Sequence, residues 1–478
     1  MLKRISGAAE RLVAFTDSFS RFFFTRSDAN VQEIRAYLSG LVQGKRGAKN
    51  MERMEEHVKD FRYQRVHHSI SDSPWEHRPL MDEVARRADG LLGGAPRPRL
   101  VIDDSGFQKK GDKSVGVARQ YIGRLGKVEN CQIAVCTSLA SGQQSMLSDV
   151  RLYLPEAWCE DAARCEKAGI PEAERRFKTK HEIALESVRH QRGLGVRFDV
   201  ACMDSGYGSN STLLRDLDRD GETYVAETHC DALLWSDAPW HHQQAARGKT
   251  PLKTPRPSHP GQRMDAWAGE KPQSQWRRLK VRESDQGWVE VNSLAQRIWV
   301  REAGEEQLRW ALVWEDPHES PNDGSKPAAP RRHYALSNAS ADEDPRVLVA
   351  DGVQRNVVER NFRDAKSELG MGDYQTRGWQ AWQHHMALVM LLMLFVTQEK
   401  MHSPPVQSPE GQINITVGDL TFVLERLLPS RTHARVRKRT VKAQLQERLA
   451  KRYRDQVARR KKTRHDRPAL SPDEVLPK

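Results

Sequence analysis

The chain has 478 residues, 38% of them hydrophobic and 29% charged, with a formal net charge of +13. That apolar content can fill a sizeable core, which excludes a wholly disordered chain, while the longest apolar run, Met386 to Val396, falls short of the roughly 20 residues a bilayer span needs. Six cysteines in so long a chain are not a disulfide framework, and charges interrupt every apolar stretch of the opening MLKRISGAAERLVAF, so no signal peptide is visible and a reduced cytoplasmic protein with no membrane partner is expected.

Residues 1–95 predict an all-α module. VQEIRAYLSGLV and MERMEEHVKDF carry apolar residues at helical spacing, with breaks at Pro74-Trp75 and GGAPRPR. From Arg97 the pattern changes. PRLVID (98–103), CQIAVCTSLA (131–140) and MLSDVRLYLP (146–155) predict three strands. An amphipathic helix over Lys178 to Gln191 follows, then a strand at FDVACMD (198–204), a helix at STLLRDLDRDG (211–221) and a strand at ETYVAET (222–228). Such a series predicts a mixed α/β layer structure.

The stretch from about Leu234 to Arg331 begins polar and Pro-rich (HHQQAARGKTPLKTPRPSHPGQR). It then alternates in strand fashion through WRRLKVRE, WVEVNSL, QRIWVRE and LRWALVWE, which predicts a β-rich insertion. After HYALSNA come two helices, roughly Val353 to Leu369 and Trp379 to Met401, then a short apolar helix at Leu420 to Leu428 and a basic tail with a frayed end. The expected segments are therefore 1–95, 96–233, 234–331, 332–402 and 403–478.

Between Arg431 and Arg464 fifteen Lys/Arg stand against two Asp/Glu, so this segment alone carries the charge of the whole chain and the body is balanced. A basic arm on a balanced body predicts a polyanionic partner, nucleic acid before an anionic membrane surface. The plain alternative is a solvated charged helix.

Several motifs carry no chemistry. GLVQGKRG (40–47) is one residue short of a phosphate-binding loop and has Arg46 where Ser or Thr should bind magnesium. No GxSxG elbow occurs. Cys159 and Cys165 lack a second pair at zinc spacing. His384-His385 lies in an apolar helix, where a packing or capping role is expected ahead of ligation.

Carboxylates at strand ends are more informative. PRLVID delivers Asp103 and Asp104, followed by Ser105-Gly106; FDVACMD delivers Asp204, followed by Ser205-Gly206. In open α/β sheets, sites form beyond the carboxyl ends of strands. An acid that closes an apolar strand is costly if buried unpaired, so it is a turn former or a cation ligand, and Asp-Ser-Gly is ordinary turn chemistry. Two strands of one sheet ending this way raise the weight of a shared cation site. In QRNVVERNFRDAKSELGM, Arg355, Glu359, Phe362 and Lys366 are spaced 4, 3 and 4 apart and share one face of a helix. That face is either an Arg–Glu support pair or a metal-binding glutamate between phosphate-binding cations.

Taken together, strand-Asp, strand-Asp and helix-Glu on this order of elements resemble the ribonuclease H-like DDE transposases. The spacing Arg355-x3-Glu359-x6-Lys366 resembles the Y-x2-R-x3-E-x6-K signature of the IS4-like superfamily. The words VIDDSGFQKKG, SVGVARQYIGRLGKVENCQIAV, RLYLPEAW, MDSGYG and HHMAL resemble the IS701 group of bacterial insertion sequences, over about residues 30 to 400. One departure is Gly352, which stands where the signature has tyrosine.

The resemblance implies a ribonuclease H-like α/β fold, with a mixed sheet flanked by helices. It implies a DNA transposase that cleaves element ends and joins the 3′ hydroxyl to target DNA by two-metal-ion phosphoryl transfer. Asp103, Asp204 and Glu359 are then the catalytic metal ligands, with Asp104 the alternative to Asp103. Mg2+ is the expected ion and Mn2+ a substitute, since hard ions take oxygen ligands. Arg355 and Lys366 would hold DNA phosphates, with Lys109, Lys110 and Arg119 weaker candidates. Trp299, Trp310 and Trp314 are candidates for stacking a flipped base, each with a core role as its alternative. Arg62, Tyr63, Arg65 and His67 would help the helical module recognise the element's ends. The implied partners are double-stranded DNA, both terminal inverted repeats and target, and a second subunit across the paired ends; the implied setting is nucleoid-associated. The competing functions are a non-catalytic DNA-binding relative and a Mg-dependent nuclease that does not join strands.

Overall fold

The computed structural model describes residues 6–25, 30–239, 257, 259–284, 287–302, 304–316, 331–403, 405–408, 411–432 and 438–463. The strands in chain order are β1 (Arg99–Gln108), β2 (Ala118–Ile122), β3 (Lys127–Ser141), β4 (Gln144–Tyr153), β5 (Val200–Met203), β6 (Tyr224–Glu227), β7 (Leu233–Leu234), β8 (Gln262–Arg263), β9 (Arg277–Ser284), β10 (Gly287–Glu302), β11 (Glu305–Glu315), β12 (Arg332–Ser337), β13 (Val406–Ser408) and β14 (Gly411–Ile413). The chain divides into two compact units. One takes the described residues of 1–98, 104–197 and 357–459, the other those of 99–103, 198–356 and 460–478.

In the first unit the helix Trp379–Met401 is apolar on every side and buried along nearly its whole length, as an all-round hydrophobic helix must be. Helices Ala8–Asp17, Val31–Gln43, Tyr63–Ser71 and His77–Leu92 pack against it. Its two histidines have the expected packing role. His384 stacks on Trp75 with ring centroids 3.6 Å apart, and burial pushes it down to about 4. His385 meets the Tyr37 hydroxyl at 2.8 Å. Strands β2, β3 and β4 form an antiparallel meander. On β4 the buried Asp149 accepts from Arg78 (2.7 Å), Arg151 (2.7 Å) and Ser187 (2.9 Å). These bonds tie the strand to helices His77–Leu92 and Lys180–Gly193. Removing one partner of such a buried pair costs about 3–5 kcal/mol.

The second unit is built on a mixed sheet. Its part of β1 pairs parallel with β5, and β5 pairs parallel with β6. β6 then pairs antiparallel with β12, and β12, β11, β10 and β9 continue antiparallel. The strands of the insertion thus extend the sheet through β12. A buried cluster anchors them: Arg309 binds Glu302 and Asp218 (both 2.8 Å), and the Tyr224 hydroxyl donates to Glu302 at 3.0 Å. Helix Pro345–Gln354 starts with Pro at its first position and an Asp344 cap, both favourable there. It is fixed to β1 by the buried pair Arg99–Asp351 at 2.6 Å.

The fold class is the expected one: α/β, a ribonuclease H-like mixed sheet flanked by helices, with β-rich insertion strands, N-terminal helices and a basic C-terminal helix. Four local expectations need correction. β1 does not stop at Asp103 but runs through Asp-Ser-Gly to Gln108, so this tripeptide is strand, not turn. β2 was not foreseen, because ARQYI has only Ile122 buried and so lacks an apolar pattern. WVEVNSL and QRIWVRE are one strand, β10. The helix expected over 353–369 is two helices, Pro345–Gln354 and Val357–Ser367, interrupted at Arg355–Asn356. Most of the Pro-rich stretch, 240–256 and 258, lies outside the described residues, as do 433–437 and 464–478 of the basic tail.

Candidate active site

The register of the parallel strands places the acids. Ile102 pairs with Met203 and Met203 with Ala226. One residue further along each strand stand Asp103, Asp204 and Glu227, side by side on one rung. Adjacent strands lie about 4.8 Å apart and in-register side chains point to the same face. Asp204 lies just past the end of β5 in extended conformation, and its carboxylate accepts from the backbone N–H of Gly206 (3.0 Å) and Tyr207 (3.3 Å). The MDSGYG word has a packing reason too. A Cβ on Gly208 would stand 2.1 Å from the Glu227 carbonyl oxygen, so only glycine lets this turn lie against β6.

Arg355 closes the rung. Its Nε donates to Glu227 Oε1 at 2.7 Å, and its Nη1 lies 3.7 Å from Asp103 Oδ2. The side chain is only 10% exposed. Burial alone would lower the guanidinium, but the carboxylates of Glu227, Asp103 and Asp204 outweigh it and hold Arg355 above its usual range. On Glu227, burial works upward, yet His333 and Arg355 bring the carboxyl below its ordinary value. His333 lies 3.7 Å from Glu227 and 3.1 Å from Asp316. Burial lowers its imidazole, and the two carboxylates more than reverse this, raising it to about 9. Sequence reasoning missed both Glu227 and His333. Glu227 had the signal that drew attention to Asp204, an acid ending an apolar strand, but Thr228 and His229 follow it rather than Ser-Gly.

Gly352, at the tyrosine position of the signature, has a steric explanation. A Cβ there would lie 2.7 Å from the Trp314 ring. Trp314 in turn stacks on His333, with centroids 5.3 Å apart and planes within 1°. The indole fills the space into which a side chain at 352 would grow.

The remaining candidates lie in the first unit or on the insertion strands. Asp104, next to Asp103 and so on the opposite face of the strand, binds Lys180 at 2.6 Å. Glu359 is exposed in the first turn of helix Val357–Ser367; that helix is seated by buried Val358 and Ala365, and Asn361 accepts from the Ser145 hydroxyl at 2.7 Å. Lys366 donates to the Gly106 carbonyl at 2.9 Å. Lys109 donates to the Tyr374 carbonyl at 3.2 Å and sits over that ring; burial lowers it to about 8. Lys110 and Arg119 are exposed. Arg65 pairs with Glu33 at 2.7 Å, and Tyr63 stacks on His67; Arg62 is exposed.

Trp314 and Trp310 are buried, the latter donating to the Ser340 carbonyl at 3.0 Å, and Trp299 is half-buried. Covered ring faces are not open to a base, so the core alternative fits Trp310 and Trp314. Trp288, not singled out from sequence, is 46% exposed, with Lys280 Nζ 4.0 Å from its ring centroid.

Asp103 and Asp204 offer hard oxygen donors, which suits a divalent ion. Among the described residues no group of three His, Cys, Asp or Glu is arranged to hold a metal, and no helix is long and apolar enough to cross a membrane.

Comparison with known proteins bears on this site. The family model described as DDE superfamily endonuclease matches residues 21–287, more than half of the chain. A probable transposase for insertion sequence element IS701 from Microchaete diplosiphon is 29% identical over 163 residues. That match covers 34% of this chain and 40% of the relative.

Proposed function

Given that the chain belongs to the DDE superfamily of endonucleases, we propose that it is a DNA transposase of the IS701 type. It cuts double-stranded DNA at the terminal inverted repeats of an insertion sequence and joins the freed 3′ hydroxyl to target DNA. The observation that carries this reading is the rung of Asp103 and Asp204 with Arg355 against it. Enzymes of this superfamily use divalent metal ions, and Mg2+, with Mn2+ as substitute, is the ion proposed for this chain.

Asp103, Asp204 and Glu359 are the proposed ligands. The Lys180 partner of Asp104 supports Asp103 over its neighbour. A pair of ions would activate the attacking oxygen and neutralise the leaving one. Phosphoryl transfer relies on positioning and charge neutralisation, and the chain's own residues serve that need. Asp204 is oriented by two backbone N–H groups, and Arg355 can bind a phosphate through its Nη side. Lys366, Lys109, Lys110 and Arg119 are proposed as phosphate contacts of lesser weight. A base-stacking role falls to Trp299 or the exposed Trp288. Residues 1–95 are proposed as the module that reads the repeats, 96–233 and 332–402 as the two parts of the catalytic domain, 234–331 as its insertion and 403–478 as a basic tail. Action on paired ends implies a homodimer, and the setting is the bacterial nucleoid.

The test is incubation of the protein with Mg2+ and DNA carrying the repeats that flank its gene. Cleavage at the repeat boundary followed by strand joining is expected. Cleavage without joining would make it a nuclease, and binding without cleavage a non-catalytic relative.

A further inference from the structure

We propose that Glu227, backed by His333, is a positioning residue that sets the orientation of Arg355 for phosphate. The proposal rests on the transposase reading for one of its two readouts.

The geometry is specific. Glu227 occupies the rung of the two aspartates, yet its carboxylate is turned to Arg355, taking the Nε edge at 2.7 Å. A guanidinium held by Nε has a fixed plane, which directs its Nη side toward Asp103, 3.7 Å away. Arg355 needs such a hold. It lies at the C-cap of helix Pro345–Gln354, in the two-residue break before the next helix. Helical hydrogen bonding alone therefore does not fix it.

Glu227 is itself held from the other side. His333 lies 3.7 Å from it and is shared with Asp316 at 3.1 Å. The Trp314 ring lies flat on His333, in space that Gly352 leaves open. The absent tyrosine and the ordered arginine are thus one arrangement: a side chain at 352 would displace Trp314 and loosen the stack behind Glu227.

The experiment compares wild type, Glu227→Gln, Arg355→Gln, the double variant and His333→Gln, each first checked by thermal unfolding. Two readouts are taken: the cleavage rate on terminal-repeat DNA with Mg2+, and the salt dependence of DNA binding without metal. If Glu227 acts through Arg355, Glu227→Gln should cleave within about threefold of Arg355→Gln. The double variant should be no slower than either, since groups acting as a unit are not additive. Both single variants should lower the logarithmic salt slope equally, by about 0.9 for one lost phosphate contact. His333→Gln, which leaves the Glu227–Arg355 bond in place, should show a smaller loss in both readouts and serves as the second test if Glu227→Gln fails to fold. Multiplicative losses in the double variant would overturn the proposal. So would a wild-type rate or wild-type slope in Glu227→Gln, or full retention of both in His333→Gln when Glu227→Gln is unfolded. If wild type itself does not cleave, the transposase reading fails, and the slopes alone then decide the role of Glu227.

Discussion

Arginine does different work at the strand ends and in the C-terminal helix. At the strand ends a single Arg355 is surrounded by Glu227, Asp103 and Asp204, so its value lies in position and one substitution should be decisive. The helix Lys438–Thr463 carries many cations, but its attachment is ordinary packing. Val441, Leu445 and Leu449, four apart, are buried, and Arg448 and Arg452 both bind the buried Asp419. Residues 438–463 of the segment read from sequence as an arm are therefore a docked amphipathic helix, with part of its charge used internally. In the helix two cations share one carboxylate, whereas at the strand ends three carboxylates gather around one cation.

The sharpest way to break this contrast is at the rung. Asp204→Asn should lower cleavage by about a hundred- to a thousandfold, the scale of losing one group from the charge-stabilising machinery. Metal-free DNA affinity should change by less than about 1 kcal/mol. Asp103→Asn should be equally inactive, whereas Asp104→Asn, which removes only a partly exposed pair with Lys180, should still cleave. Measured rates that reversed the two neighbours would put the site on the other face of β1.

The corresponding break in the helix is one of stability. Asp419 caps helix Val417–Leu427 through a Thr416 capping box while accepting from both arginines. Asp419→Ala should cost about 2–3 kcal/mol, combining a lost cap with lost charged hydrogen bonds. Cleavage per folded molecule should be unchanged, checked by unfolding and active-fraction assays together.

A pH effect of similar or smaller size separates the rung from the helix. His333 is raised to about 9 in the folded protein against an unfolded value near 6.5. The protonated form is favoured by folding, so its contribution is complete below about pH 6.5 and is lost as pH rises through about 9. The total is at most about 3.5 kcal/mol at about 1.4 kcal/mol per unit, less for the partial exposure of Asp316. Unfolding of wild type should weaken across that window, and His333→Gln should flatten the decline. Equal declines in both proteins would show that His333 is neutral in the fold.

Much of the sheet was legible because buried strands leave apolar runs: PRLVID, FDVACMD and ETYVAET all proved to be strands. Their order along the chain did not state that Ile102, Met203 and Ala226 share a rung, since register depends on long-range pairing. That is why Glu227 stayed hidden although its strand was identified. The break at Arg355–Asn356 was invisible because no Pro or Gly marks it, and RNVVERNF keeps helical spacing across it. Burial of Trp310 and Trp314 was unreadable for a related reason: period-2 alternation assigns faces but does not say which face is covered.

The smallest expected effect sharpens the other side of the contrast. Removing the basic helix would be a poor test of its charge, because it would also remove Val441, Leu445 and Leu449 from the core and leave Asp419 without its arginines. Lys451 and Arg454 are exposed on the same helix, and replacing both by Gln keeps these contacts. If both side chains touch phosphate, the logarithmic salt slope should fall by just under two units, about 0.9 per contact, and affinity by about tenfold at physiological salt. Repeat and random DNA should lose affinity alike, because phosphate contacts carry no sequence information. The measurement is affinity against salt for both proteins on both DNAs. An unchanged slope would make the exposed face of this helix a solvated or protein-facing surface. Loss confined to the repeat DNA would mean that these cations reach base edges, and that position matters here as it does at the rung.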